Sequence, residues 1–145
     1  MICWPLLAAA SAVVAEPPAP PEDHRVLVEM PELQRELLRQ EMQDVLVALN
    51  QIIGYLADGN LSAAGETAEA RMGISTMGKH AAAARGLGGP GRFMPDAMRQ
   101  MGFGMHEAAS RFAEVAKEGD PADALRALQG LTSACLSCHM AYRTR

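Results

Sequence analysis

Residues 121–142, PADALRALQGLTSACLSCHMAY, are the stretch of this 145-residue chain that is most informative about its fold. Asp120 and Pro121 supply an N-cap and a first-turn proline, which is typical of the start of a helix. Side chains then recur at helical gaps of three and four, at Leu125, Leu128, Leu131, Cys135, Cys138 and Tyr142. This spacing predicts a helix that runs nearly to the C-terminus.

Three upstream segments show the same helical spacing, and strand-like alternation is absent from them. Their predicted inner faces are Leu38, Met42, Val45, Leu49, Ile52 and Leu56; Ala63, Thr67, Ala70, Ile74, Met77, Ala81 and Ala84; and Met98, Met101, Met105, Ala108, Phe112 and Val115. Turn-forming residues at 58–60, 86–91 and 119–121 separate the four segments. Four helices of about twenty to twenty-six residues with short connections predict an all-α, antiparallel up-down-up-down four-helix bundle.

The N-terminal part of the chain differs in composition from these segments. Residues 1–15, MICWPLLAAASAVVA, are apolar and end on a small residue, so we predict a cleaved signal peptide, although no basic residue precedes the apolar run. That run is shorter than the roughly twenty residues that cross a bilayer, so no membrane anchor is expected after cleavage. Residues 16–30 are predicted to be a Pro-rich leader and residues 31–145 the helical domain, exported to the periplasm.

The charge distribution excludes two classes of partner. The formal net charge of the chain is -4, and its basic residues are scattered along the sequence. Neither a nucleic-acid footprint nor a patch for anionic membranes is therefore expected.

The segment from Cys135 to His139 is C-x-x-C-H. Its two thiols can bond the vinyl groups of a haem, and the adjacent imidazole can bind the iron. A closed zinc site would need a second pair of Cys or His ligands at suitable spacing, which the sequence lacks. A thioredoxin-like pair would begin a helix, whereas this pair lies near the C-terminal end of one. A plain disulfide would leave His139 unexplained. The motif therefore predicts one covalent haem c, held by Cys135, Cys138 and His139.

The motif lies at the C-terminal end of a four-helix chain and is followed by Met140, Ala141, Tyr142 and Arg143. In this the sequence resembles the class II cytochromes c, cytochrome c prime and its low-spin, Met-ligated relatives, which close with C-x-x-C-H-x-x-aromatic-Arg. The resemblance implies an antiparallel bundle with haem between the helices. It also implies that His139 is the proximal ligand, that the first helix supplies the distal residue, and that Arg143 lies beside a propionate.

The resemblance points to Met42 as the distal ligand. Heights are measured at 1.5 Å per residue from the end of the bundle where the first helix ends and the fourth begins. Met42 lies about 21 Å up the first helix and His139 about 25 Å up the fourth, so the two are level within one helical turn. The same arithmetic admits other thioethers, and two histidines offer an imidazole instead: Met77, Met101, Met105, His80 and His106. Each of these methionines also fits as core filler, so the sixth ligand stays open.

These patterns predict a mono-haem electron carrier, not an enzyme, that exchanges electrons with redox partner proteins. Small residues on the outer faces leave room for a homodimer. One alternative is a five-coordinate cytochrome c prime that binds NO or CO. A second is a haem-free metal-binding or interaction bundle, in which soft thioethers and imidazoles hold copper(I). The copper candidates are Met72, Met77, His80, Met94, Met98, Met101, Met105 and His106.

Overall fold

The computed structural model describes residues 22–79, 83–84 and 86–145. Within them the chain forms four α-helices: α1 (Glu32–Ala57), α2 (Leu61–Met72), α3 (Asp96–Glu118) and α4 (Pro121–Ala141). Two single-turn 3-10 helices, Ile74–Thr76 and Pro90–Phe93, lie between α2 and α3, and two short strands are β1 (Val26–Leu27) and β2 (Tyr142–Arg143). The prediction of a mainly helical protein with four helices is confirmed. The predicted signal peptide lies outside the described residues.

Local capping chemistry sets the helix ends. The side chain of Asn60 accepts a hydrogen bond from the Ala63 N–H (3.1 Å), and that of Asp120 accepts one from the Asp123 N–H (2.9 Å), at the starts of α2 and α4. Gly119 closes α3 in the left-handed region, with φ 85°. These ends agree with the predicted breaks at 58–60 and 119–121.

The second helix is shorter than predicted. We expected its face to continue to Ala84, but α2 ends at Met72, and Ala84 lies in a turn. Gly73 takes an extended backbone (φ −67°, ψ 173°), and the next N–H, that of Ile74, donates to the Ser110 hydroxyl at 3.0 Å. Side-chain acceptors of this kind compete with the helical hydrogen bond and end the helix early.

The core is built from small side chains around a few large ones. Its members are Val45, Ala48, Ile52, Ala64, Ala68, Met72, Met105, Ala109, Phe112, Ala113, Ala116, Ala124 and Leu131. Consecutive helices pack on one another, α1 on α2, α2 on α3 and α3 on α4. Among the described residues α1 and α4 do not pack on each other to a comparable extent.

Helices α2 and α3 run in opposite directions and approach closely. Gly65 in α2 lies against Ala113 in α3, whereas the carbonyl oxygen of Met72 is 2.7 Å from Nδ1 of His106. Residue numbers therefore rise along α2 as they fall along α3.

Replacing Gly65 with Ala is expected to destabilise the fold by about 1–3 kcal/mol, because the new Cβ would overpack this contact. It would lie 2.9 Å from the Ala113 carbonyl oxygen and 3.2 Å from the Ala116 Cβ. Gly54→Ala in α1 is the matched control, since no atom lies within 4 Å of its Cβ, and it should stabilise by about 0.5–1 kcal/mol. Urea unfolding measures both. Equal stabilisation by the two substitutions would contradict the close approach.

The two strands join the N-terminal segment to the C-terminus. They pair in parallel, Val26 with Tyr142 and Leu27 with Arg143, and the Val28 N–H donates to the Arg143 carbonyl oxygen at 2.8 Å. Val28 is buried. We name residues 23–28 the N-terminal strap. Nothing in the sequence pattern predicts this pairing.

Candidate haem-binding cleft

A cleft of about 510 Å³ lies between α1 and the C-terminal end of α4, with the start of α3 forming a third wall. Its apolar and soft-donor lining consists of Leu38, Met42, Met94, Met98, Cys138, His139 and Tyr142. This volume lies within the range of about 300–1,000 Å³ that is usual for cofactor sites. The cleft can therefore hold a sizeable organic ligand.

Four of the predicted site residues meet in this cleft: Met42, Cys138, His139 and Arg143. Met42 is half-buried in the third turn of α1, and His139 is exposed in the last turn of α4. An imidazole and a thioether carried by two different helices thus line one space. This set of donors is one that c-type haem iron accepts.

Cys135 lies one helical turn before His139 and faces the core more than the cleft. It is half-buried, and its Sγ donates to the Leu131 carbonyl oxygen at 3.5 Å. Burial raises the pKa of both Cys135 and Cys138, and in Cys138 the charge of Cys135 adds to the effect. A catalytic thiol pair needs a lowered pKa. The two free thiols are therefore unlike a redox-active pair.

Guanidinium groups dominate the rim of the cleft: Arg25, Arg35, Arg39, Arg143 and Arg145 against the carboxylates of Glu32 and Glu36. Those two carboxylates pair with Arg35 and Arg39 within α1. Nε of Arg143, in contrast, is buried without a hydrogen-bond acceptor, and the Asp23 carboxylate is 3.6 Å away.

The residues present fit a haem. A buried N–H without an acceptor is unfavourable, so Arg143 Nε calls for an anionic oxygen in the cleft, and a haem propionate supplies one. The imidazole of His139, the thioether of Met42, the cysteine at the cleft wall and the basic rim surround the same space.

The other ligand candidates from the sequence lie away from the cleft lining or outside the described residues. Met77 is exposed beyond the turn of Ile74–Thr76, and Met105 is buried in the core. Met101 is half-buried in α3 and does not line the cleft. Nδ1 of His106 is engaged with the Met72 carbonyl oxygen. His80 lies outside the described residues.

Several lining residues are not predicted by the sequence as part of a haem site. Met94 and Met98 are copper candidates, Met98 is also on a predicted inner face, and Arg25 is in the predicted leader. Gly102 lies one turn after Met98 and also lines the cleft, where its missing side chain leaves the α3 wall open. The available signal was the Met98–Gly102 spacing of four, which places both residues on one helix face.

The described ranges contain no group of three or more His, Cys, Asp or Glu side chains that could hold a metal ion. None of the helices in the described part of the chain has the length and apolar character of a membrane span.

Comparison with known families agrees with this site. The family model described as Cytochrome C' matches residues 94–143, which include α3, α4 and the whole C-x-x-C-H motif and end at Arg143. The match covers 50 of the 145 residues, and over them the chain is similar to the class II cytochromes c, as the sequence predicted. This likeness implies a haem c. No curated protein and no solved structure matches the chain.

Proposed function

We propose that this protein is a periplasmic mono-haem electron carrier in which Cys135 and Cys138 bind the haem covalently and His139 and Met42 are the axial ligands. One observation carries this proposal: Met42, Cys138 and His139 line the same cleft although Met42 comes from a different helix. The proposal includes an antiparallel up-down order of the four helices, with the haem between α1 and α4.

Each of the two proposed axial residues is carried by a long helix that borders the cleft. His139 presents its imidazole from the last turn of α4, and Met42 presents its thioether from α1. When bound, a haem iron would supply a one-electron couple, and a thioether ligand would raise its potential relative to a second imidazole. Both residues stand on helices, which would limit their movement and so would suit electron transfer.

The remaining lining residues would bind the haem propionates and shield the haem from water. Leu38 and Met98 offer apolar surface that excludes water from the cleft, and Met98 is buried. Arg143 Nε, which has no acceptor in the structure, would donate to a haem propionate, and the other guanidinium groups of the rim would offset its negative charge. This role needs no general acid or nucleophile. We therefore propose a carrier that exchanges electrons with partner proteins and has no enzymatic activity.

The visible absorption spectrum of the ferric and ferrous protein, produced with a cytochrome c maturation system in the periplasm, tests the proposal. Sharp, split ferrous bands are expected, because two axial ligands give low-spin iron. A broad Soret band of high-spin iron would instead favour an open distal face and the binding of NO or CO. A protein without haem bands would overturn the proposed function altogether.

A further inference from the structure

The motif at the end of α4 is only partly covered by the helical core, against which Cys135 packs. The buried residues of α4 are Ala124 and Leu131, and both precede the motif. Beyond Leu131, Cys135 and Cys138 are only half-buried, and His139 is exposed. The part of α4 that presents the iron ligand therefore needs another constraint if the imidazole is to keep one position.

The N-terminal strap supplies contacts at this point. Its main chain pairs with Tyr142 and Arg143 immediately after α4, and the buried Val28 anchors it. The Val28 N–H donates to the Arg143 carbonyl oxygen at 2.8 Å. The main chain on the C-terminal side of His139 is thus tied to a segment more than a hundred residues away in sequence.

Two strap side chains reach the site itself. Nη1 of Arg25 donates to the His139 carbonyl oxygen at 3.5 Å, and Arg25 also lines the cleft. The Asp23 carboxylate pairs with Nη2 of Arg25 at 2.7 Å and lies 3.6 Å from Nε of Arg143. Asp23 therefore links Arg25, which contacts His139, to Arg143, which lines the cleft.

This pairing sets Arg143 apart from the other rim arginines. Arg35 and Arg39 are held by glutamates of their own helix, in i,i+3 pairs that leave α4 untouched. The carboxylate within 4 Å of Arg143 among the described residues comes from the strap. Hydrogen bonds from Arg25 hold the pKa of Asp23 well below its usual range, so this carboxylate is charged at neutral pH.

We propose that Asp23 and Arg25 are positioning residues for the haem, fixing the last turn of α4 with His139 and orienting the Arg143 guanidinium in the cleft. This inference rests on the proposed haem-binding function. It assigns a role in the site to residues 23–28, beyond that of a leader to the bundle.

An Asp23→Asn variant tests the role, and Asp123→Asn is its matched control. Asp123 is also an exposed carboxylate that pairs with an arginine, Arg126, at 2.8 Å, so both substitutions remove one negative charge. Asp123 lies at the start of α4, away from the cleft lining, whereas Asp23 contacts the C-terminal segment. Two measurements apply: amide hydrogen exchange at Val28 and the line width of the ferric haem EPR signal, which reports the spread of axial-ligand geometry. Asp23→Glu, which restores the charge, is the rescue variant.

Asp23→Asn should speed exchange at Val28 by about two- to fivefold, the range expected for loss of an exposed ion pair, and should broaden the EPR signal. Asp123→Asn should change neither, and Asp23→Glu should return both toward the wild type. Equal effects of Asp23→Asn and Asp123→Asn would overturn the positioning role while the proposed haem function stands. Faster exchange with an unchanged EPR signal would also overturn it, since the strap would then be only structural. A wild-type protein without covalent haem would overturn both proposals.

Discussion

A Cys135→Ser/Cys138→Ser variant is expected to lose all covalently attached haem. Each thioether bond needs a thiol, and a serine hydroxyl does not add to a haem vinyl group under the same conditions. Serine is close to cysteine in size, and at residue 135 its hydroxyl can still donate to the Leu131 carbonyl oxygen. The helix should therefore persist. Haem staining after denaturing electrophoresis should fall from full intensity to background.

The single variants and a neighbouring control refine this expectation. Cys135→Ser and Cys138→Ser each leave one thiol, so each should retain part of the covalent haem. Cys138 lines the cleft whereas Cys135 leans toward the core, so Cys138→Ser should lose more. Ser137 lies between the two cysteines and is exposed on α4. Ser137→Ala removes only a hydrogen bond to the Ser133 carbonyl oxygen, so this variant should stain like the wild type. Persistent staining of the double variant would contradict the attachment.

The parts of the fold that the sequence predicts well are those with local chemical causes. The end of α3 at Gly119 and the cap of α4 at Asp120 follow from a glycine in the left-handed region and a side chain that accepts from the next turn. The C-x-x-C-H motif is equally local, since all its groups stand within five residues on one helix.

The failures have long-range causes. The spacing of alanines beyond Met72 fits a helix, but it carries no information about Ser110, whose hydroxyl accepts from Ile74 and helps to end α2. The strands β1 and β2 have two residues each, too few to show alternation. Their pairing joins residues near opposite ends of the chain. Neither feature can be read from a short window of sequence.

The candidate site also combines features that follow from local sequence with features that depend on tertiary contacts. Helix arithmetic brings Met42 to the level of His139 because both helices are regular and long, and the structure places them around one cleft. Met94, Met98 and Arg25 enter the lining through the packing of α3 and the strap, which depends on tertiary contacts. Periodicity therefore predicts which helix faces inward, whereas the neighbours of the cofactor follow from how the helices pack.

Replacing Met42 with Ala is expected to convert the iron from low spin to high spin. The substitution removes the thioether that α1 presents to the cleft and leaves an alanine too short to reach the iron. The sharp ferrous bands should be replaced by a broad Soret band, and the reduction potential should fall because a thioether favours ferrous iron. Met42 is only half-buried, so the loss of stability should lie at or below the low end of the roughly 2–5 kcal/mol typical of buried Met→Ala changes.

Two comparison variants make this result specific to the distal position. Met77→Ala removes a thioether that is 44% exposed and away from the cleft lining, and it should leave the spectrum unchanged. Met98→Ala removes a buried thioether from another wall of the same cleft, and it should lower stability while the iron stays low spin. An unchanged spectrum in Met42→Ala would contradict Met42 as ligand. The distal role would then pass to Met94 or Met98, because these are the other thioethers that line the cleft in the described part of the chain.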